Sequence, residues 1–180
     1  MALRFQFDET KAVETLAYVA TRWPGVTAFY ASKILFFAEK LHLNRYGRPI
    51  VADTFIAMPN GPVPSTIYDF IEGNLDQAGD PEAITKAIEI DRSHYAHIKA
   101  LRPADEDALS PSDLECLDEA IVLCRGQGFK ALSNRTHQER AYLEAPNNGA
   151  MDYEAFIDED NPHRAELLDE AREFAVYGVL

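Results

Sequence analysis

The segment AFYASKILFFAEKLHLNRYG, residues 28–47, constrains the fold more than any other part of the chain. Its apolar residues cover nearly the whole circumference of a helix: Phe29, Tyr30, Ile34, Leu35, Phe36, Phe37, Leu41 and Leu43. A helix that is apolar on all sides is packed on several sides. We therefore expect a central helix that begins after a Thr27 cap and ends at Gly47.

Other segments carry the residues that begin and end helices. The candidate caps are Asp8 or Thr10, Ser65, Ser110 with Pro111 and Asp113, and either Ser133 or the Thr136–Glu139 pair in segment 132–142. The candidate stops are Pro24-Gly25, Gly73, and Gly126 with Gly128. Two acidic helices are predicted near the C-terminus, around 151–157 and after Asn161-Pro162. The chain should therefore be mainly helical.

Two segments have the composition of strands. Residues 50–58, IVADTFIAM, are rich in β-branched and aromatic side chains, and residues 93–101, SHYAHIKAL, alternate in polarity. We expect these two strands to pair, while residues 83–91 fit a helix or a strand. The predicted fold is α+β and mainly α, a compact helical domain with a small antiparallel β-sheet. We assign residues 1–180 to a single domain.

Residues 59–64, PNGPVP, predict a stiff corner after the first strand. Pro59-Asn60-Gly61 is a turn signal, and Pro62 and Pro64 fix two further φ angles. Prolines also lack the backbone N–H groups that cradle a phosphate, so the corner is a poor anion site. It either holds the fold together or presents a recognition surface.

Composition narrows the function classes. The chain has 17 basic and 30 acidic side chains, a net charge of −13, which opposes non-specific nucleic-acid binding. The charge serves solubility or suits a basic protein partner. No apolar stretch approaches the ~20 residues of a membrane-spanning helix, and the N-terminus lacks an apolar signal core. Cys116 and Cys124 lie about 12 Å apart on one predicted helix, which is too far for a disulfide, so we expect two buried thiols. We expect a cytoplasmic protein.

The histidines predict neither a metal centre nor a cofactor site. His94 and His97 lie three apart on a predicted strand, so they point to opposite faces and cannot hold one ion. No zinc-binding motif accompanies them. His137 falls at a predicted helix start, where it can bridge to a neighbouring element. A catalytic His137 would need a carboxylate partner, which the sequence cannot place. We expect no enzymatic activity.

The run from Lys33 to Phe70 resembles the signature of the Panacea-domain (SocA-like) antitoxin family. The matching elements are Lys33, Phe36-Phe37-Ala38-Glu39, His42-Leu43, Gly47-Arg48-Pro49, Asp53, Gly61-Pro62-Val63-Pro64 and Ile67-Tyr68-Asp69. A second element matches at Leu132-Ser133, Thr136-His137 and Ala141-Tyr142, with tyrosine where tryptophan is common. The resemblance covers about residues 10–145, and the acidic C-terminal helices of 146–180 match less.

This resemblance implies an antitoxin that neutralises a cognate protein toxin by direct contact. For the SocA type, it also implies an adaptor that hands the toxin to the ClpXP protease. The candidate toxin-binding residues are Lys40, His42, Arg48, Tyr68 and His137, since Tyr and Arg on stiff corners are good contact residues. Two alternatives stay open: a DNA-binding regulator of its own operon, and a phage-associated enzyme that uses His137.

Overall fold

The computed structural model describes residues 2–178, and α2 (Ala28–Tyr46) is its central helix. The Thr27 hydroxyl accepts a hydrogen bond from the Tyr30 N–H, and Gly47 ends the helix in the left-handed conformation at φ 63°. Ile34, Phe36 and Leu43 are fully buried. The predicted central helix and both of its ends are therefore confirmed.

The described residues form seven further α-helices. They are α1 (Glu9–Arg22), α3 (Ser65–Glu72), α4 (Pro81–Ala87), α5 (Pro111–Arg125), α6 (Phe129–Thr136), α7 (Arg140–Glu144) and α8 (Arg164–Tyr177). Short 3₁₀ turns lie at Glu106–Ala108 and Tyr153–Phe156, the latter where a helix was predicted. Helix α5 packs along α2, and β2 and α8 contact other parts of it. The mainly helical α+β prediction is confirmed.

The predicted helix caps are right at α1 and α5 and wrong at α3. The Asp8 carboxylate accepts the Lys11 N–H, and Ser110 and Asp113 form a reciprocal capping box. Ser65 makes no cap hydrogen bond. Its place is taken by Asp53, whose buried carboxylate accepts the N–H groups of Thr54, Thr66 and Ile67 at 2.7, 3.1 and 2.8 Å.

The predicted helix over 132–142 is two helices with a turn between them. Helix α6 begins at Phe129 and ends at Thr136, whose hydroxyl donates to the Ser133 carbonyl one turn back. The Thr136–Glu139 capping box is therefore absent from this turn, and the prediction was wrong there. The Glu139 carboxylate binds the Lys40 ammonium instead.

The predicted strand pairing was also wrong. Strand β1 (Phe55–Met58) pairs with β2 (Gly61–Pro64), in register Phe55↔Pro64 and Met58↔Gly61, because Pro59-Asn60 closes a two-residue hairpin. Strand β3 (Ile88–Asp91) pairs with β4 (His97–Ala100) in a second antiparallel sheet. The ambiguous segment 83–91 contains the end of α4 followed by β3.

In each sheet, a short extended segment lies beside one strand and widens the sheet. Residues 148–151 lie beside β1, where the Ala57 N–H donates to the Gly149 carbonyl and the Met151 N–H to the Phe55 carbonyl. Residues 26–28 lie beside β4 in the same way. Strands β1 and β4 are therefore central, and β2 and β3 are outer strands. Across residues 2–178, every helix is too short or too polar to cross a membrane.

Candidate protein-binding site

A buried lysine ties α2 to the hairpin formed by β1 and β2. Lys33 is only 1% exposed, and its Nζ donates a hydrogen bond of 2.9 Å to the carbonyl oxygen of Pro62. The same nitrogen lies 4.8 Å from the centre of the Phe29 ring, a cation–π distance. Burial lowers the pKa of Lys33 to about 7. The hairpin is thus anchored to the central helix α2.

Gly61 lies at a tightly packed point of the hairpin. Its φ is +100°, and a Cβ there would lie 2.3 Å from Thr136 Oγ1 and 3.0 Å from Lys33 Cε. A side chain is therefore excluded both by conformation and by contact. Three parts of the chain that are far apart in sequence meet at this point: Lys33, the Gly61-Pro62-Val63-Pro64 run and Thr136.

The tip of the hairpin projects from this anchor. Met58 is 39% exposed, and Pro59 and Asn60 are exposed beside it. The Tyr142 hydroxyl donates to the Met58 carbonyl at 2.9 Å, and the His137 ring stacks on Tyr142 with centroids 4.5 Å apart. We call these five residues the hairpin surface.

Glu39 fixes the segment that leads into β1. Its buried carboxylate accepts the N–H groups of Ile50, Val51 and Ala52 at 2.7, 2.9 and 3.1 Å, and Ala52 has a φ of +60°. Burial raises the pKa of Glu39 to about 7, against the opposing effect of these three hydrogen bonds. The carboxylate therefore holds residues 50–52 out of the sheet, which is why β1 is shorter than predicted.

The structure corrects the prediction that His42 contacts a toxin. The ring is completely buried between α2 and α5. Its Nδ1 lies 2.7 Å from the Arg48 carbonyl oxygen, which can only accept, so Nδ1 carries the proton and Nε2 accepts from the Ser112 hydroxyl at 3.0 Å. Burial lowers the pKa of His42 to about 4. His42 therefore positions the backbone of Arg48.

Arg48 is partly exposed at the same end of α2. Its Nη2 donates to the hydroxyls of Ser110 and Ser112, each at 3.2 Å. Asp113 lies 3.6 Å from Nη1 and is already paired with the buried Lys11 ammonium at 2.7 Å. Arg48 thus closes a network at the start of α5.

Lys40 lies on a different side of α2 from His42. Its Nζ lies 2.5 Å from a Glu139 oxygen and 2.8 Å from an Asp158 oxygen. Partial burial lowers the pKa of Lys40, but hydrogen bonds to Asp158 and Glu139 outweigh that effect and raise it. Lys40 and His42 are two residues apart on one helix, hence about 200° apart around its axis. They cannot share one contact surface.

The five predicted contact residues therefore do not form one site. Lys40 and His137 both border the turn between α6 and α7, whereas His42 and Arg48 lie at the start of α5. Tyr68 is 38% exposed on α3. Sequence reasoning considered the 59–64 corner, which contains Asn60, as a recognition surface, but it did not select Met58 or Tyr142. The available signal for Met58 was its place directly before that turn.

The structure also describes the surroundings of the candidate catalytic and metal-binding groups. Within residues 2–178, the His137 Nε2 is buried without a hydrogen-bond partner, so no carboxylate binds this ring nitrogen. His137 also follows the last residue of α6 and does not begin a helix. No three His, Cys, Asp or Glu side chains in that range cluster as metal ligands. Cys116 and Cys124 are buried free thiols, as predicted.

Comparison with known protein families identifies the chain. A family model described as antitoxin SocA-like, Panacea domain, matches residues 32–142, which is more than half of the sequence. The chain belongs to this family. The matched part of this Panacea-domain protein contains Lys33, the hairpin and the α6–α7 turn up to Tyr142. Comparison with curated proteins and with solved structures found no match. Family membership supports an antitoxin role in general.

Proposed function

We propose that this Panacea-domain protein neutralises a cognate protein toxin by direct binding through the hairpin surface. It acts in the cytoplasm as a stoichiometric binder and does not turn over a substrate. The observation that carries the proposal is the convergence of Lys33, Gly61 and Thr136 behind an exposed hairpin tip. Those three residues lie in the interior and fix the position of the tip. The tip itself is exposed and is not part of the core.

Rigidity suits this tip for binding. A surface that is already ordered loses little conformational entropy when a partner binds. Pro59 restricts the turn, and the Tyr142 hydroxyl holds the Met58 carbonyl. Met58 supplies an adaptable apolar side chain, and the stacked rings of His137 and Tyr142 supply flat area. Together they provide an apolar centre with polar groups at its edge.

The charge of the protein indicates the kind of toxin. A net charge of −13 attracts a basic protein and speeds the encounter with it. The same charge opposes binding to DNA, so operon autoregulation by direct DNA contact is not part of the proposal. Lys40 is not free for an acidic partner, because Glu139 and Asp158 already pair with it.

The proposal extends to delivery of the bound toxin to the ClpXP protease. An adaptor needs a second surface beside the one that holds the toxin. Helix α8 lies outside the residues matched by the family model and exposes Val176 and Tyr177 near its end. If α8 contacts the protease, Val176→Ser with Tyr177→Ser should lengthen the half-life of the toxin in cells without weakening the antitoxin–toxin complex. An unchanged half-life would limit the proposal to sequestration.

The direct test is co-expression with the protein encoded by the neighbouring reading frame. We expect that protein to arrest growth alone, and the arrest to be relieved when this chain is co-expressed. The two proteins should also purify together as a complex. Relief of growth without a complex would contradict neutralisation by direct binding, and so would a complex that leaves growth arrested.

A further inference from the structure

Strand β3 leaves one edge without a strand partner among residues 2–178. It pairs with β4 on one side only, and β4 is bonded on its other side to residues 26–28. The order across this sheet is therefore residues 26–28, β4, β3. An edge strand presents unpaired backbone N–H and C=O groups, which can template another strand.

The hydrogen bonds show which backbone groups of β3 face outward. The Ile98 N–H donates to the Val26 carbonyl, so the backbone groups of Ile98 point away from β3. Ile98 is directly opposite Ile90, which makes this pair a non-hydrogen-bonded pair. The Leu101 N–H donates to the Ala87 carbonyl, which gives the same alternation. The N–H and C=O of Ile90 therefore point to the free edge.

A cavity runs beside this edge. It has a volume of about 480 Å³ and lies between the segment after α3, which contributes Gly73 and Leu75, and the strand itself. Ile88, Glu89 and Ile90 all line it. Neighbouring residues of a strand point to opposite faces, so a cavity that touches all three lies along the edge of the sheet. Phe70 and Ile84 add apolar wall.

The charge around the edge indicates what fits there. Residues 72–92 contain six acidic side chains, Glu72, Asp76, Asp80, Glu82, Glu89 and Asp91, against two basic ones, Lys86 and Arg92. Arg92 lines the cavity and donates to the Ile71 carbonyl, and Lys99 on β4 lies 3.5 Å from the Glu89 carboxylate, so the balance around the edge stays acidic. Lys86 is already paired with Glu82 at 2.6 Å. A second copy of β3 would bring Glu89 and Asp91 close to the same carboxylates, which is unfavourable. The charge therefore favours a basic segment of another protein.

We infer that the free edge of β3 binds an extended polypeptide segment in which apolar and basic residues alternate. The segment adds a strand to the sheet. Its main chain bonds to the N–H and C=O of Ile90, its apolar side chains enter the cavity at Leu75, and its basic side chains meet Glu89 and Asp91. This site goes beyond the proposed antitoxin function and does not depend on it.

The test uses the full chain and two synthetic hexapeptides, one of alternating lysine and valine and one of alternating glutamate and valine. We expect the lysine peptide to bind with a Kd at or below about 1 mM and the glutamate peptide not to saturate. A lysine peptide N-methylated at alternate residues, which cannot donate along one edge, should bind more than about tenfold more weakly. The methylated peptide leaves the protein unchanged.

Ile90→Pro removes the outward N–H without touching the β3–β4 hydrogen bonds, and edge strands accept proline at such positions. It should weaken binding of the lysine peptide about three- to tenfold, while Ile90→Val should leave that binding unchanged. Glu89→Lys with Asp91→Lys should exchange the preference of the two peptides. The inference fails if the lysine peptide does not saturate or if neither N-methylation nor Ile90→Pro weakens it. It also fails if both peptides bind equally, or if the protein dimerises through this edge.

Discussion

The Lys33 ammonium donates a 2.9 Å hydrogen bond to the carbonyl oxygen of Pro62, from a side chain that water hardly reaches. The two residues are 29 positions apart, and the bond joins the central helix to the hairpin. Because the carbonyl is itself buried, it has no water to replace the lysine. This contact connects the interior of the fold to the surface that we propose binds the toxin.

The first prediction concerns the charge of Lys33. Its pKa is lowered from about 10.4 in the unfolded chain to about 7, so between these values the unfolded state holds a proton that the folded state has released. Stability must then rise with pH across that window. Relative to Lys33→Met, the unfolding free energy of the wild type should increase by about 3 kcal/mol between pH 7 and 9.5. Urea unfolding at both values measures it, and a constant difference would contradict the buried, depressed amine.

The second prediction concerns the packing at Gly61. Gly61→Ala places a methyl group against Thr136 and forces an alanine to a positive φ, and it should cost at least about 3 kcal/mol. Gly25→Ala is the matched control, since Gly25 has a φ of +78° and nothing within 4 Å of the added Cβ. It should cost only about 1–2 kcal/mol. Equal shifts of the urea midpoint would show that Thr136 does not confine the hairpin.

The third prediction separates Asp53 from Ser65 as the cap of α3. Asp53→Ala removes the acceptor of three backbone N–H groups and should destabilise the protein by about 2 kcal/mol or more. Ser65→Ala should change stability by less than about 0.5 kcal/mol, because the Ser65 side chain makes no cap hydrogen bond. Thermal unfolding of both variants distinguishes the two residues. The opposite order would restore the assignment made from the sequence.

The fourth prediction concerns acid sensitivity through His42. The folded pKa of about 4 lies below the unfolded value of about 6.5, so the unfolded state binds the extra proton between them. Stability contributed at this site should therefore be lost as pH falls through that range. Compared with His42→Gln, the wild type should lose about 3 kcal/mol from pH 6.5 to pH 4. If the two proteins lose stability in parallel, His42 is not buried as the neutral ring.

Much of the helical framework was predictable because its signals are local. Asp8, Thr27 and Ser110 cap neighbouring residues, so their helices could be located without knowledge of the rest of the fold. The sheets were mispaired because pairing depends on distant groups. Glu39 holds residues 50–52 out of β1, and β2 and residues 148–151 lie on the two sides of β1, where residues 93–101 were expected to pair.

In the candidate site, too, local motifs were predictable and contacts between distant residues were not. The family was recognised from its short motifs, and the family match confirms it. The motif residue His42 was interpreted as a contact, although it is buried like the motif residues Lys33, Glu39 and Asp53. Nothing in the local sequence distinguishes a charged side chain with a buried partner from one that faces solvent. Met58 and Tyr142 are joined by a hydrogen bond across 84 residues, a contact that the local sequence does not show.

The most direct test of the hairpin surface measures how tightly two matched variants bind the toxin encoded by the neighbouring reading frame. Met58→Glu places a carboxylate at the centre of the surface, and Val122→Glu makes the same change at a side chain of α5 that is 74% exposed. By isothermal titration calorimetry, Met58→Glu should weaken binding at least about 100-fold while Val122→Glu leaves it unchanged. Wild-type affinity in a folded Met58→Glu protein would contradict toxin binding through this hairpin.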